Sequence, residues 1–330
     1  MNKKLTLIGL GFIALMLLTM GSQAAPEQGI EYEWKNGIAT VETENVTISV
    51  NTFGNLPGFH YKLVSGLNYT VIFKQLAEYE DQNEDGVFQA SETLTGMPYL
   101  TLTSISWIFS GFNVEETEGL VTAIHFNFTA DEIIGLVYDE LDITIAMHLY
   151  LEDQVIDGYE LVGGTELKFD LYISGWPWES DTNFLALRFD IILSEGMQVR
   201  NQFDQQIDTS VDNSGSEKKL ENKAGELKQE LTFQNEEKTA FFGYADKAQI
   251  KNQTESQYEY SSVNASYCAT GENVLRIYLS FEHFDYLIYD PSLGTYDSGE
   301  EDNVPFAWVT ALIAPVIFVA ALKASNKFRK

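Results

Sequence analysis

Apolar and polar residues alternate with a period of two along much of this chain. The pattern is clearest where Leu141, Ile143, Ile145, Met147, Leu149 and Leu151 are separated by Asp142, Thr144, His148 and Tyr150. Successive side chains of a strand point to opposite faces, so each such run predicts a strand with one buried and one wet face. Leu167 to Ile173, Leu185 to Ile191 and Leu275 to Phe281 read the same way, and weaker runs occur at 38–50, 61–75, 99–109, 121–130, 229–234, 239–245 and 257–266. About ten strands without a long amphipathic helix predict an all-β fold, a large antiparallel β-sandwich. Gly158 and Gly163-Gly164 mark turns, and the closely spaced strands between 121 and 193 predict a meander at its centre.

Three segments break the alternation. Residues 1–24 place Lys3 and Lys4 before an apolar run and end in Ser22-Gln23-Ala24, the layout of a cleaved secretory signal; an uncleaved N-terminal anchor is the alternative. Residues 305–322 form an uncharged run, followed by Lys323, Lys327, Arg329 and Lys330. That predicts a single transmembrane helix, kinked at Pro315, with the basic tail 323–330 in the cytoplasm and the bulk of the chain extracellular. The same C-terminal pattern resembles a sorting signal of the archaeosortase type, which would exchange the helix for a lipid anchor. Between 196 and 238 polar and charged residues dominate; this reads as an excursion from one domain spanning 25–289, either irregular or carrying a short charged helix around Glu217 to Glu230. Residues 290–304 are acidic and turn-rich and read as a stalk next to the membrane.

Charge and cysteine content narrow the setting. With 49 acidic and 20 basic side chains the net charge is −29, and the basic ends leave the intervening portion more acidic still. Such a surface repels nucleic acid and attracts cations, and it keeps an exposed protein soluble. Cys268 is the single cysteine, so no internal disulfide supports the exported portion, and it reads as a small buried residue. Glycosylation sequons occur at Asn45, Asn68, Asn127, Asn252 and Asn264. An occupied Asn127 has to point away from Ile124, Phe126 and Phe128 on its strand.

One segment carries specific chemistry. Asp81-Gln-Asn-Glu-Asp-Gly-Val-Phe-Gln-Ala-Ser-Glu92 offers side-chain oxygens from Asp81, Asn83 and Asp85, the carbonyl of Val87, Gln89 directly or through water, and a closing carboxylate from Glu92. Gly86 stands where the chain must turn sharply with positive φ. The segment resembles the EF-hand loop, of the kind also used in dockerin modules, and the resemblance implies a bound Ca2+. Phe88 departs from the usual branched aliphatic, and Thr93 from the usual hydrophobic residue. No second loop exists to pair with it, and its flanks are strand-like or broken by Gly96 and Pro98. The expectation is a solitary, structural calcium loop inserted between β elements.

Other constellations are weaker. His60, His125, His148 and His283 form no local metal motif, and no nucleophile, phosphate-loop or dinucleotide signature occurs in the exported portion. Trp176-Pro177-Trp178 reads as a stacking platform for sugars or protein, or as an indole capping the core where Pro177 ends a strand. The whole layout is similar to uncharacterised archaeal cell-surface proteins. The expected function is a membrane-anchored, calcium-binding surface protein with a structural, adhesive or ligand-binding role, its partners being glycans or other surface proteins. The alternatives are an extracellular polysaccharide hydrolase, whose paired carboxylates leave no local signature, and a receptor ectodomain working with a membrane partner.

Overall fold

The computed structural model describes residues 30–296, apart from 53–56, 65, 93–97, 132, 134–137, 157–158, 211–216, 224–227, 235–238, 253–256 and 272. The expected signal at 1–24, span at 305–322 and tail at 323–330 lie outside the described residues. Among the described residues no helix is long and apolar enough to cross a membrane.

The protein is all-β and antiparallel. A 10-stranded sheet has Asn68–Tyr79, Phe184–Leu193 and Val274–Phe281 at its middle, with Glu31–Lys35 and Lys218–Leu220 at its edges. A 13-stranded sheet runs from Gln206–Ile207 through Lys228–Gln234, Thr239–Ala245 and Ser292–Tyr296 to Leu167–Ser174, Asp142–Tyr150 and Leu120–Asp131. The sheets face each other through aromatic side chains. Phe73 of the first meets Phe169 of the second at 5.6 Å between ring centroids, Phe189 meets Phe242 at 5.1 Å and Tyr69 meets Phe233 at 5.4 Å. The odd-numbered apolar residues from Ile143 to Leu149 are buried there as the alternation predicts, while Thr144 and His148 lie on the outer face.

The structure departs from the sequence pattern in four places. The runs at 38–50 and 61–75 are each split into two strands, so the sheets hold more and shorter strands than expected. The meander holds for Leu120–Asp131, Asp142–Tyr150 and Leu167–Ser174, but Phe184–Leu193 crosses to the first sheet and pairs with Asn68–Tyr79 and Val274–Phe281. The described part of Glu217 to Glu230 is extended rather than helical: Lys218–Leu220 pairs with Asn264–Ala269, since backbone pairing at a sheet edge outweighs weak helical charge spacing. The expected stalk begins inside the sheet, because Ser292–Tyr296 pairs with Thr239–Ala245 and buries Leu293.

One irregularity positions the candidate site. Asn68–Tyr79 pairs with Phe184–Leu193 through a shift between Arg188 and Phe189, which leaves Lys74 as an extra residue opposite the pair. An inserted residue reverses the phase of every side chain beyond it. Tyr69, Val71 and Phe73 point inward before the bulge; after it Leu76 joins the same core, and Tyr79 instead joins a satellite cluster with Phe88, Ala186, Cys268 and Tyr278.

Candidate metal centre

The 81–92 loop follows Asn68–Tyr79 and folds back over the outer face of the first sheet, where Phe88 covers that satellite cluster. The Phe88 ring lies 4.6 Å from Tyr278 and 5.3 Å from Tyr79. Both of its backbone polar groups are satisfied by serines on neighbouring strands: its N–H donates to Ser280 Oγ at 3.1 Å, and Ser266 Oγ donates to its carbonyl at 3.1 Å. Phe88, which would face a partner loop in a paired EF-hand, packs on the sheet.

The loop is organised by its carboxylates. Asp81 accepts N–H groups from Asp85 at 3.2 Å and Gly86 at 2.8 Å; Asn83 accepts from Asp85 at 3.1 Å, and Asp85 from Val87 at 3.0 Å. The Gln89 side chain donates to Asp85 at 3.0 Å. Glu92 reaches back across the loop and accepts the N–H of Gln82 at 3.2 Å and that of Gln89 at 3.1 Å, one on each carboxylate oxygen. Gly86 adopts φ +73°, and a Cβ there would lie 2.6 Å from the Asn264 side-chain nitrogen. The sequence expectation of a sharp positive-φ turn is met at this residue.

Asp81, Asp85 and Glu92 act on one another and on Tyr79 electrostatically. Glu92 is buried, and desolvation raises its pKa; hydrogen bonds from Gln89 and Gln82 oppose the shift, while Asp81 and Asp85 add to it. Burial pushes the Tyr79 phenol above its usual range, Ser280 opposes this, and Asp81, Glu92 and Asp85 reinforce it. A cation among these oxygens would relieve the repulsion and the burial cost together. Among the described residues, no three His, Cys, Asp or Glu side chains are grouped so that they could hold a metal ion by themselves. For an ion to be held here, the oxygens that the loop pattern assigns to Asn83, Val87 and Gln89 would have to join the carboxylates. Lys219 Nζ donates to the Asp85 carbonyl at 2.8 Å, so the polar excursion packs a positive charge against the loop.

The Trp176-Pro177-Trp178 segment is placed differently from a ligand platform. Gly175, at φ +72° and against the Glu140 carbonyl, turns the chain inward after Leu167–Ser174. Trp176 is 4% exposed and its indole N–H donates to Glu78 at 3.2 Å. Glu78 is wholly buried and also accepts Glu179 N–H at 2.9 Å, Ser180 N–H at 3.4 Å and Asn183 Nδ2 at 2.6 Å. Trp178 is half-buried against His283 and donates to the Phe284 carbonyl at 2.8 Å. Trp176 is therefore part of the core, Trp178 keeps part of its ring exposed, and the segment's bonds to Glu78 tie the crossover of the chain from the second sheet to the first.

The sequons differ in surroundings. Asn45 is exposed; Asn68, Asn127, Asn252 and Asn264 are half-buried. Asn127 points away from Phe126 and Phe128, as its phase requires, whereas the Ser266 hydroxyl of the Asn264 sequon is buried against Phe88.

One cluster escaped the sequence reading. His125 and His148, opposite each other on adjacent strands, bring their Nδ1 atoms to 2.7 Å, so one ring donates and the other accepts. Glu115 lies 3.3 Å from His125 and Asp170 lies 3.3 Å from His148, while Lys168 contacts Asp170. Burial alone would raise Asp170, but His148 and Lys168 outweigh it and hold it at about 2. Burial first, then His148, lowers His125. Both histidines sit at polar phases of strongly alternating strands; strand register, which brings them together, is set by distant parts of the chain.

No protein-family model matches the chain, and no curated protein sequence does.

Proposed function

We propose that the chain is a calcium-stabilised β-sandwich anchored at the cell surface by its C-terminal segment, with a structural, adhesive or ligand-binding role. The observation that carries the reading is the loop itself, closed by backbone N–H groups donating to Asp81, Asp85 and Glu92 and fixed to the sheet through Phe88. A strand leads into the loop and a 3-10 turn, Ala90–Glu92, closes it, so an ion there staples rather than switches. Calcium is abundant outside cells, and a Kd of about 0.1–1 mM suffices for such a staple. The predicted signal, acidic surface and terminal apolar run support the exported setting. The hydrolase alternative draws no support from the Trp segment, because Glu78, the carboxylate beside Trp176, is buried and taken up by N–H donors.

The test is calorimetric titration of the purified full-length chain with calcium. Glu92→Gln is expected to weaken binding by about tenfold or more, because it removes a bidentate charge, whereas Gln89→Ala weakens it less. No heat of binding, together with the same unfolding midpoint in calcium and in chelator, overturns the proposal.

A further inference from the structure

The outer face of the second sheet carries a shallow groove of about 100 Å³ that the calcium loop does not touch. Its lining includes Tyr172, Tyr258 and Tyr286 together with Asp142, Thr144 and Ser174. The three tyrosines are 38%, 45% and 43% exposed, and Tyr260 beside them is 71% exposed. Strand register gathers these residues from distant parts of the sequence: Tyr172 lies opposite Thr144 and Ile288, Tyr286 lies opposite Ser174 and Lys251, and Ser174 lies opposite Asp142.

We propose that this groove is a binding site for a neutral carbohydrate, with a pyranose ring stacked on Tyr258 and Tyr286 and its hydroxyls received by Asp142, Thr144 and Ser174. The ligand class follows from the chemistry of the lining. A tyrosine presents an apolar ring face and a polar rim, and a contiguous exposed aromatic patch is uncommon on a surface without a partner. A pyranose has the complementary form, an apolar C–H face bordered by hydroxyls. Hydroxyls and a carboxylate placed among the rings give it fixed hydrogen-bond partners, the usual make-up of a small-molecule site.

Charge selects against the other occupants. Polyanions meet Asp142 in the groove and Asp170, which accepts the Tyr172 hydroxyl at 3.1 Å, as well as a chain of net charge −29. A cationic peptide would seek the faces of Tyr258 and Tyr286. Lys251 already lies 5.9 Å and 5.8 Å from those ring centroids and repels a second cation. A neutral ligand is repelled by neither charge; it shares the Tyr258 and Tyr286 rings with the Lys251 ammonium, which can donate to its hydroxyls.

The proposal rests on the reading of the chain as a ligand-binding surface module but is independent of calcium, since loop and groove lie on different sheets. The experiment titrates the purified full-length chain with soluble neutral oligosaccharides: β-1,4- and β-1,3-glucans, mannan and galactan. Heparin and oligolysine are titrated in parallel. Wild type is expected to bind at least one neutral oligosaccharide at millimolar concentration or below. Tyr258→Ala and Tyr286→Ala should each weaken that binding by about tenfold without shifting the unfolding midpoint, because both rings are exposed. Trp34→Ala, exposed on the other sheet, should leave it unchanged. Failure of every neutral oligosaccharide, equal binding by a Tyr258→Ala/Tyr286→Ala double variant, or tighter binding of heparin or oligolysine overturns the assignment. Calcium titration of the same double variant separates the two readings: unchanged calcium binding with lost sugar binding supports both.

Discussion

Truncating Phe88 tests whether the 81–92 loop is held by the sheet, by an ion, or by both. Phe88 is 6% exposed, sandwiched between Tyr278 and Tyr79, and its backbone is fixed by Ser280 and Ser266. Phe→Ala at a buried site costs about 3–5 kcal/mol. The satellite cluster is small and lies under a loop able to settle onto it, so the low end, about 3 kcal/mol, is expected for Phe88→Ala. That leaves a domain of ordinary stability folded. Calcium binding adds its own increment. At a free concentration about one hundred times the Kd, linkage stabilises the folded state by about 2.7 kcal/mol, which raises the midpoint of a domain this size by roughly 5–10 °C. In Phe88→Ala the loop must be ordered at the expense of ion binding, so the Kd should weaken about tenfold and the calcium-dependent rise should shrink by about 1.4 kcal/mol. Differential scanning calorimetry of wild type and variant, each in calcium and in chelator, reads all four states. Equal calcium-dependent rises in the two proteins refute the coupling between Phe88 and the loop. A loss below about 1 kcal/mol in chelator refutes the packing argument itself.

Three further outcomes are expected. Glu78→Ala strands the Trp176 indole, the Asn183 amide and the Glu179 and Ser180 N–H groups in the core and should cost about 3–5 kcal/mol in chemical denaturation; a loss under about 1 kcal/mol contradicts the pinning role. The folded state depresses the His125 pKa, so this group's stabilising contribution is complete above its ordinary value of 6.5 and declines as pH falls below it; Asp170, held at about 2, adds no slope until pH falls through 3.8. Denaturation of wild type and His125→Asn at pH 7 and pH 5 should therefore show a smaller pH effect in the variant, and identical slopes refute the assignment. Gly86→Ala forces a side chain into φ +73° and against Asn264, and should lower stability by about 1–2 kcal/mol while weakening calcium binding; an unchanged midpoint contradicts this.

The parts legible in the sequence are those fixed by local pattern. Asp142–Tyr150, Leu167–Ser174 and Phe184–Leu193 were readable because each has apolar residues at every second position, and Gly86 because a calcium loop has one residue that must turn with positive φ. The sheet to which a strand belongs was not readable. Phe184–Leu193 alternates like its predecessors, and its transfer to the first sheet depends on Gly175, Trp176 and a glutamate about a hundred residues earlier. The bulge at Lys74 was hidden for the opposite reason: an inserted residue looks like the end of one alternating run and the start of another. The His125–His148 pair and the tyrosine groove are products of cross-strand register, which one sequence does not encode locally.

The two tyrosine clusters, compared, show why the groove reads as an interface. Tyr278 and Tyr79 lie on the outer face of the first sheet, and Tyr172 and Tyr286 hold corresponding outward positions on the second. The first pair is 6% and 0% exposed, the second 38% and 43%. Residue type and outward orientation are the same in both, so neither explains the difference. What differs is the cover: the chain folds its own loop over Tyr79 and Tyr278 and seats Phe88 between them, with serines meeting its backbone. At Tyr172 and Tyr286 the rings share the groove with Thr144, Ser174 and Asp142. Polar groups beside exposed rings suit a partner that brings hydroxyls and flat apolar faces of its own. Among the described residues the fold thus closes one aromatic face with its own chain and leaves the other exposed, as the proposed sugar site requires.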